Sequence, residues 1–278
     1  MEKSKKEKVL ILVKTYPHHS TKYGEIVCTA GIRSDGSWIR IFPIRFRMYT
    51  DDQQFGKYQW IECIANKAND PRPESYHIDM DQPLVLGDKI GTQEKWERRR
   101  QAILDKVKVY TRFSELRELV SENKGSLAVF HPTSVKLRCE TAKIEEDVSG
   151  TPTPEMMQLD LFHEREWRAE FKRVDLVPYD FKYEITDADG EKATHKILDW
   201  ELGTLFYWEK KRLGSEERAR DSVKNKYGVE FLNSGKVDLY LYMGTMLQFQ
   251  QRRMPNPWTI IGVAPFPRIG VRQGELEL

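Results

Sequence analysis

Cysteine is scarce in this chain. Cys28, Cys63 and Cys139 are the only three in 278 residues, and none stands in a Cys-x-x-Cys pair. A disulfide framework or a zinc ribbon needs thiols in regular pairs, so both are excluded and reduced, buried thiols are expected. The six histidines offer no metal-ligand spacing. Long apolar runs are missing as well. Val9–Val13 is too short for the core of a secretion signal, and nothing approaches the roughly 18 residues of a membrane span. The expectation is a cytoplasmic protein without a membrane partner. Glycine-rich phosphate loops, Gly-x-Ser-x-Gly elbows and His-Glu-x-x-His helices are absent, which removes the common nucleotide-hydrolysing, serine-hydrolase and zinc-protease signatures and leaves no cofactor to expect. No period of 20–50 residues recurs, so the chain is not a solenoid. Nor is there a strong excess of one charge, since the formal net charge is +2.

What is present is a core and a charged surface. Hydrophobic residues make up 39%, aromatics 11% and charged residues 32%. Residues 1–125 carry a net +5 and the remainder −3, a mild polarity far from the basic stripe of a dedicated DNA-binding domain.

Periodicity predicts strands at Val9–Tyr16, Glu25–Ile32, Trp38–Phe46 and Tyr58–Ala65. The Asp35-Gly36 pair between the second and third supplies the positive φ of a tight hairpin. Helices are expected at Lys95–Lys108 and Phe113–Glu122, then strands at Ser126–Val129 and Ser134–Thr141. Asp147–Pro154 is a small, proline-bearing linker candidate. Beyond it the pattern predicts strands at Val174–Ile185 and Lys192–Leu198, a helix capped by Asp199 and interrupted near Gly214, and strands at Val237–Met243 and Trp258–Val263. Short sequential strands favour antiparallel pairing over βαβ units. The fold class is therefore α+β, with two small antiparallel β-barrel-like modules that resemble OB-type or PUA-type barrels. Residues 1–148 form the first, with a helical insertion, and residues 149–278 the second.

The segment from Trp38 to Arg47 carries most of the functional signal. In a regular strand Trp38, Arg40, Phe42, Ile44 and Phe46 point one way, and Ile39, Ile41, Pro43, Arg45 and Arg47 the other. Exposed, the first face stacks bases and reaches phosphates, as single-strand binders do. Buried, it is ordinary core. Pro43 lacks a backbone donor and marks an edge or a bulge. Arg98, Arg99 and Arg100 spread around one helix and add candidate phosphate contacts. The expected nucleic-acid-binding set is Trp38, Arg40, Phe42, Arg45 and Arg98–Arg100.

Other constellations are thinner. Glu74, His77, Asp79 and Asp81 place carboxylate and imidazole ligands in one loop and sketch a divalent-metal site for phosphodiester cleavage, at a spacing that matches no known motif. His18-His19 follows the first strand, and Gly244-Thr245 ends an apolar strand where a backbone amide can meet a ligand. The ranking places a non-catalytic, nucleic-acid-associated binding protein first, for single strands or modified bases. A metal-dependent nuclease or phosphodiesterase is second. A scaffold or accessory subunit of a nucleic-acid-processing complex, with its aromatic residues anchoring protein partners, is third.

Overall fold

A computed structural model describes residues 5–16, 18–20, 24–44, 54–78, 84–142, 177–252, 254 and 256–269. The first hundred residues build a barrel from β1 (Lys5–Lys14), β3 (Gly24–Ile32), β4 (Trp38–Ile44), β5 (Gln59–Lys67) and β6 (Ser75–Ile78). These strands run β1-β3-β4-β6-β5, and β5 pairs back onto β1, closing the ring. Every pairing in the ring is antiparallel except β4 with β6. β2 (His18–Ser20) adds to β3, and β7 (Val85–Lys89) to β5.

The Val9–Val13 run is apolar at every position because β1 is buried on both faces. Val9 and Ile11 point into the barrel with Val27, Ile39, Ile41, Ile44 and Ile61. Leu10, Leu12 and Val13 point outward into a second core shared with Leu127, Val129, Tyr242, Ile261 and Phe266. A half-exposed strand would alternate. The β3–β4 register slips between Val27–Ile44 and Thr29–Ile41, so Phe42 and Pro43 stand opposite Cys28 alone. Pro43 thus sits in a bulge, as its missing donor requires. The Asp35-Gly36 hairpin forms where expected, with Gly36 at φ 86°.

Helix α1 (Gln93–Ile103) follows the barrel, then β8 (Val109–Tyr110) and α2 (Phe113–Ser121). At the start of α1, Glu94, Lys95 and Trp96 all take positive φ of 51–66°, a left-handed turn disfavoured for L-residues. Tertiary packing overrides that preference. Trp96 lies edge-on to Tyr58 and Phe266, with ring centroids 6.1 and 5.5 Å away, and the Arg99 guanidinium sits 4.3 Å over its ring.

The rest of the chain forms two more sheets. One is β10 (Ser134–Thr141), β11 (Tyr179–Thr186) and β12 (Lys192–Lys196); the other runs β14 (Trp258–Pro267), β13 (Val237–Thr245), β9 (Leu127–Phe130), β8. Among the described residues a single bridge, Ile197 to Ile260, joins them. Helices α3 (Trp200–Leu213) and α4 (Glu216–Lys224) cover this core, followed by a π-helical turn, Asn225–Glu230, and a short α5 (Leu247–Gln251). Asp199 caps α3 by accepting from the Glu201 amide at 3.1 Å, and Gly214 ends it in the left-handed conformation. The protein is thus α+β with one closed five-stranded barrel. Among the described residues the second half is two sheets joined edge to edge, not a second ring. The expected linker, with the boundary at residue 148, lies within 143–176, outside the described residues. On either side of it β10 pairs with β11 along all eight residues of each. Cys63 is buried, and burial raises its thiol to about 11; Cys28 and Cys139 are half-buried. Among the described residues no helix is long and apolar enough to cross a membrane.

Candidate nucleic-acid interface

The β3–β4 hairpin leans against the stretch that follows α1. Its turn is tied by Ser37, whose amide and hydroxyl both donate to Asp35 Oδ1, at 2.9 and 2.7 Å. These bonds hold the Asp35 carboxyl below its usual pKa. Lys106 Nζ donates to the Ser34 carbonyl at 2.8 Å. A Cβ on Gly36 would stand 2.3 Å from the Lys106 carbonyl oxygen, and the positive φ disfavours any side chain there. Gly36→Ala is therefore expected to push the hairpin off residues 106–108 and to cost about 1–3 kcal/mol, readable by urea denaturation.

Between these elements lies a cleft of about 340 Å³, within the size range of small-ligand sites. Three half-buried rings line it, those of Trp38, Tyr76 and Tyr110, and four cations, Arg33, Lys106, Lys108 and Lys124. Glu74 is the one carboxylate in the lining. The cations are held in place. Arg33 Nε meets Glu7 at 2.6 Å, and its guanidinium lies 5.1 Å over the Tyr76 ring. Lys108 pairs with Glu115 at 3.1 Å and stands 4.5 Å over Tyr110. Lys124 pairs with Glu122. Lys106 makes no ion pair among the described residues. Carboxylate bonding raises the pKa of Lys108 and of Lys124, and burial raises that of Tyr110, so at neutral pH the site presents charged amines and a neutral phenol.

The floor beneath is a buried polar network. Arg40 Nη2 donates to the Ser126 carbonyl at 3.1 Å and to its hydroxyl at 3.0 Å. Glu74 Oε1 accepts from the Ser126 amide at 2.5 Å and from the hydroxyl at 2.6 Å. Arg72 is gripped by Asp70 and donates to the Thr245 carbonyl at 3.1 Å. The Asp70-Pro-Arg-Pro-Glu74 segment therefore reaches from the barrel into the sheet carrying β9 and β13.

Of the described residues in the expected nucleic-acid-binding set, only Trp38 opens onto the cleft. It shares the outward face of β4 with Arg40, but Ser126 and its neighbours cover Arg40 to 3% exposure. Phe42 is half-buried in the bulge. Arg45 lies outside the described residues. The arginine triplet separates. Arg98 is exposed, whereas buried Arg99 donates to the Ile90 carbonyl and sits 4.0 Å over the Tyr58 ring. Arg100 donates to the Pro267 carbonyl at 2.6 Å and faces Phe266. The sketched metal ligands are described only in part. Glu74 is buried under Ser126, His77 is exposed with Nδ1 on the Phe42 carbonyl, and Asp79 and Asp81 lie outside the described residues. Among the described residues no group of three His, Cys, Asp or Glu side chains could hold a metal ion. His18 and His19 belong to β2. Gly244 and Thr245 are packed in β13, where the Thr245 amide donates to the Ser126 carbonyl.

The cleft coincides with a junction seen by sequence comparison. Residues 5–105 match a domain of unknown function (DUF8758), and residues 109–276 match a second domain of unknown function (DUF8757). The second match covers more than half of the chain. The chain belongs to the DUF8757 family. No curated protein matches it. Arg33, Trp38, Glu74 and Tyr76 come from the DUF8758 segment, Tyr110, Lys124 and Leu127 from the DUF8757 segment, and Lys106 and Lys108 from the three residues between. Sequence reasoning missed Tyr76, Tyr110, Lys106, Lys108 and Lys124 because they are scattered over fifty residues of loops and short strands. The prolines around Arg72 read as a loop and hid β6, the strand that carries Tyr76.

Proposed function

We propose that this protein binds single-stranded nucleic acid, with a base stacked in the cleft and the backbone running past its lysines. The observation that carries the reading is the lining itself, three rings and four cations with one carboxylate. Rings stack on any base, and amines meet phosphates without regard to sequence. The barrel supports it. Counted along the ring alone, its strands run 1-2-3-5-4 with strand 4 closing on strand 1 and a single parallel pair between 3 and 5. That order favours an OB-type barrel, in which the face of strands 2 and 3 and the 4–5 connection serve oligonucleotides. Here those parts are β3, β4 and the Asp70–Glu74 loop, all next to the cleft.

Fluorescence anisotropy with labelled single-stranded DNA and RNA at increasing salt tests the reading. Binding should weaken log-linearly with salt, and Lys106→Ala and Lys124→Ala should each reduce the slope by about 0.7. Trp38→Ala should cost about 1–3 kcal/mol of affinity. Absence of binding at about 50 mM salt, where phosphate contacts are strongest, would overturn the proposal.

A further inference from the structure

Stacking rings and backbone-facing amines do not distinguish one base from another. Glu74 is placed to do so. It lines the cleft with Trp38, Tyr76 and Tyr110, yet is only 7% exposed. Its two oxygens differ. Oε1 is saturated by the Ser126 amide and hydroxyl, whereas Oε2 is buried and has no hydrogen-bond partner. Arg40, which meets the same Ser126 hydroxyl, makes no ion pair with Glu74 among the described residues. A buried carboxylate oxygen with no donor is a costly arrangement that calls for a partner, and a carboxylate can only accept.

We propose that Glu74 Oε2 accepts an N–H from the base held in the cleft, and so selects bases with an exocyclic amino group over those with a carbonyl at the same position. The inference rests on the nucleic-acid reading above. Cytosine presents an amino group at N4 and adenine at N6, both donors. Uracil places a carbonyl oxygen where cytosine has its amine, and oxygen would then face oxygen. Ser126 holds Oε1 from two directions, so the carboxylate cannot turn away from the mismatch.

The test compares oligo(dC) with oligo(dU) of equal length, which differ at C4, amine against carbonyl, and at N3, acceptor against N–H. The unmodified protein should bind oligo(dC) about tenfold more tightly. Glu74→Gln keeps an acceptor for Ser126 and turns the free position into an amide donor, so the preference should vanish or reverse. A third arm leaves the protein untouched: an oligo(dC) dimethylated at N4 has no N–H to give and should bind no better than oligo(dU). Thermal denaturation of the variant separates altered selectivity from misfolding. Equal binding of all three oligonucleotides to the unmodified protein would overturn the role of Glu74 while leaving the cleft as a binding site. Failure of every oligonucleotide to bind would remove both.

Discussion

Replacing Lys57 with methionine is expected to destabilise the protein by about 3–5 kcal/mol at neutral pH. Lys57 is 8% exposed and has three partners beyond the barrel: the Val263 carbonyl at 2.8 Å, Glu201 at 3.1 Å and Asp199 at 3.5 Å. Burial alone lowers the pKa of this ammonium, and Asp199 and Glu201 more than reverse that, so it stays charged. Methionine fits the space but leaves the Asp199 carboxylate buried without a counter-charge. Burial already pushes Asp199 above its usual 3.8 against the pull of Lys57, and removing that pull raises it further. The folded variant then binds a proton at a pH where the unfolded chain, with Asp near 3.9, does not. Stability lost at pH 7 is therefore regained as the pH falls through the raised value toward 4. Urea denaturation at pH 7 and pH 5 checks both points. The deficit should shrink at the lower pH, and adding Asp199→Asn should recover part of it at pH 7. A deficit independent of pH would mean that lost packing, not the orphaned charge, dominates.

Arg40→Ala should cost about 1.5–3 kcal/mol, a fall of roughly 3–12 °C in Tm for a chain of this size. The substitution leaves the buried Ser126 carbonyl without its guanidinium and takes a cation away from the neighbourhood of Glu74. Arg40→Lys should rescue little, since a single ammonium cannot reproduce the planar fork. Below its lowered Tm the alanine variant should still bind single strands, because the guanidinium is sealed 3% exposed beneath the cleft. Unchanged stability with abolished binding would make Arg40 a ligand contact instead of a pin.

The two arginine readings show where sequence reasoning stopped. The hairpin, the bulge at Pro43 and the Asp199 cap were legible because each depends on residues a few positions apart. The alternation of β4 was legible only as far as Ile41: Ile39 and Ile41 enter the barrel and Trp38 and Arg40 face out, but the bulge at Phe42 and Pro43 turns Ile44, expected on the Trp38 face, into the barrel as well. What covers the outward face was not legible, because Ser126 is 86 residues from Arg40. The Arg98–Arg100 triplet gives the same lesson, since the partners of Arg99 and Arg100, Tyr58 and Pro267, approach from both directions along the chain. A run of like charges says that some of it meets solvent; it does not say which part.

The double-sided burial of β1 bears on modularity. Leu10 and Leu12 are fully buried only because Leu127, Val129, Tyr242, Ile261 and Phe266 lie across them, together with Ala30 and Ile32 beside them. Were residues 5–105 expressed alone, the barrel could still close, but it would carry a greasy stripe down one side. Any natural chain that carries the DUF8758 segment without its companion must hide that stripe with some other cover. Searching such chains for what replaces β9, β13 and β14 would show whether the barrel travels as an independent cassette or is inherited only as half of a pair.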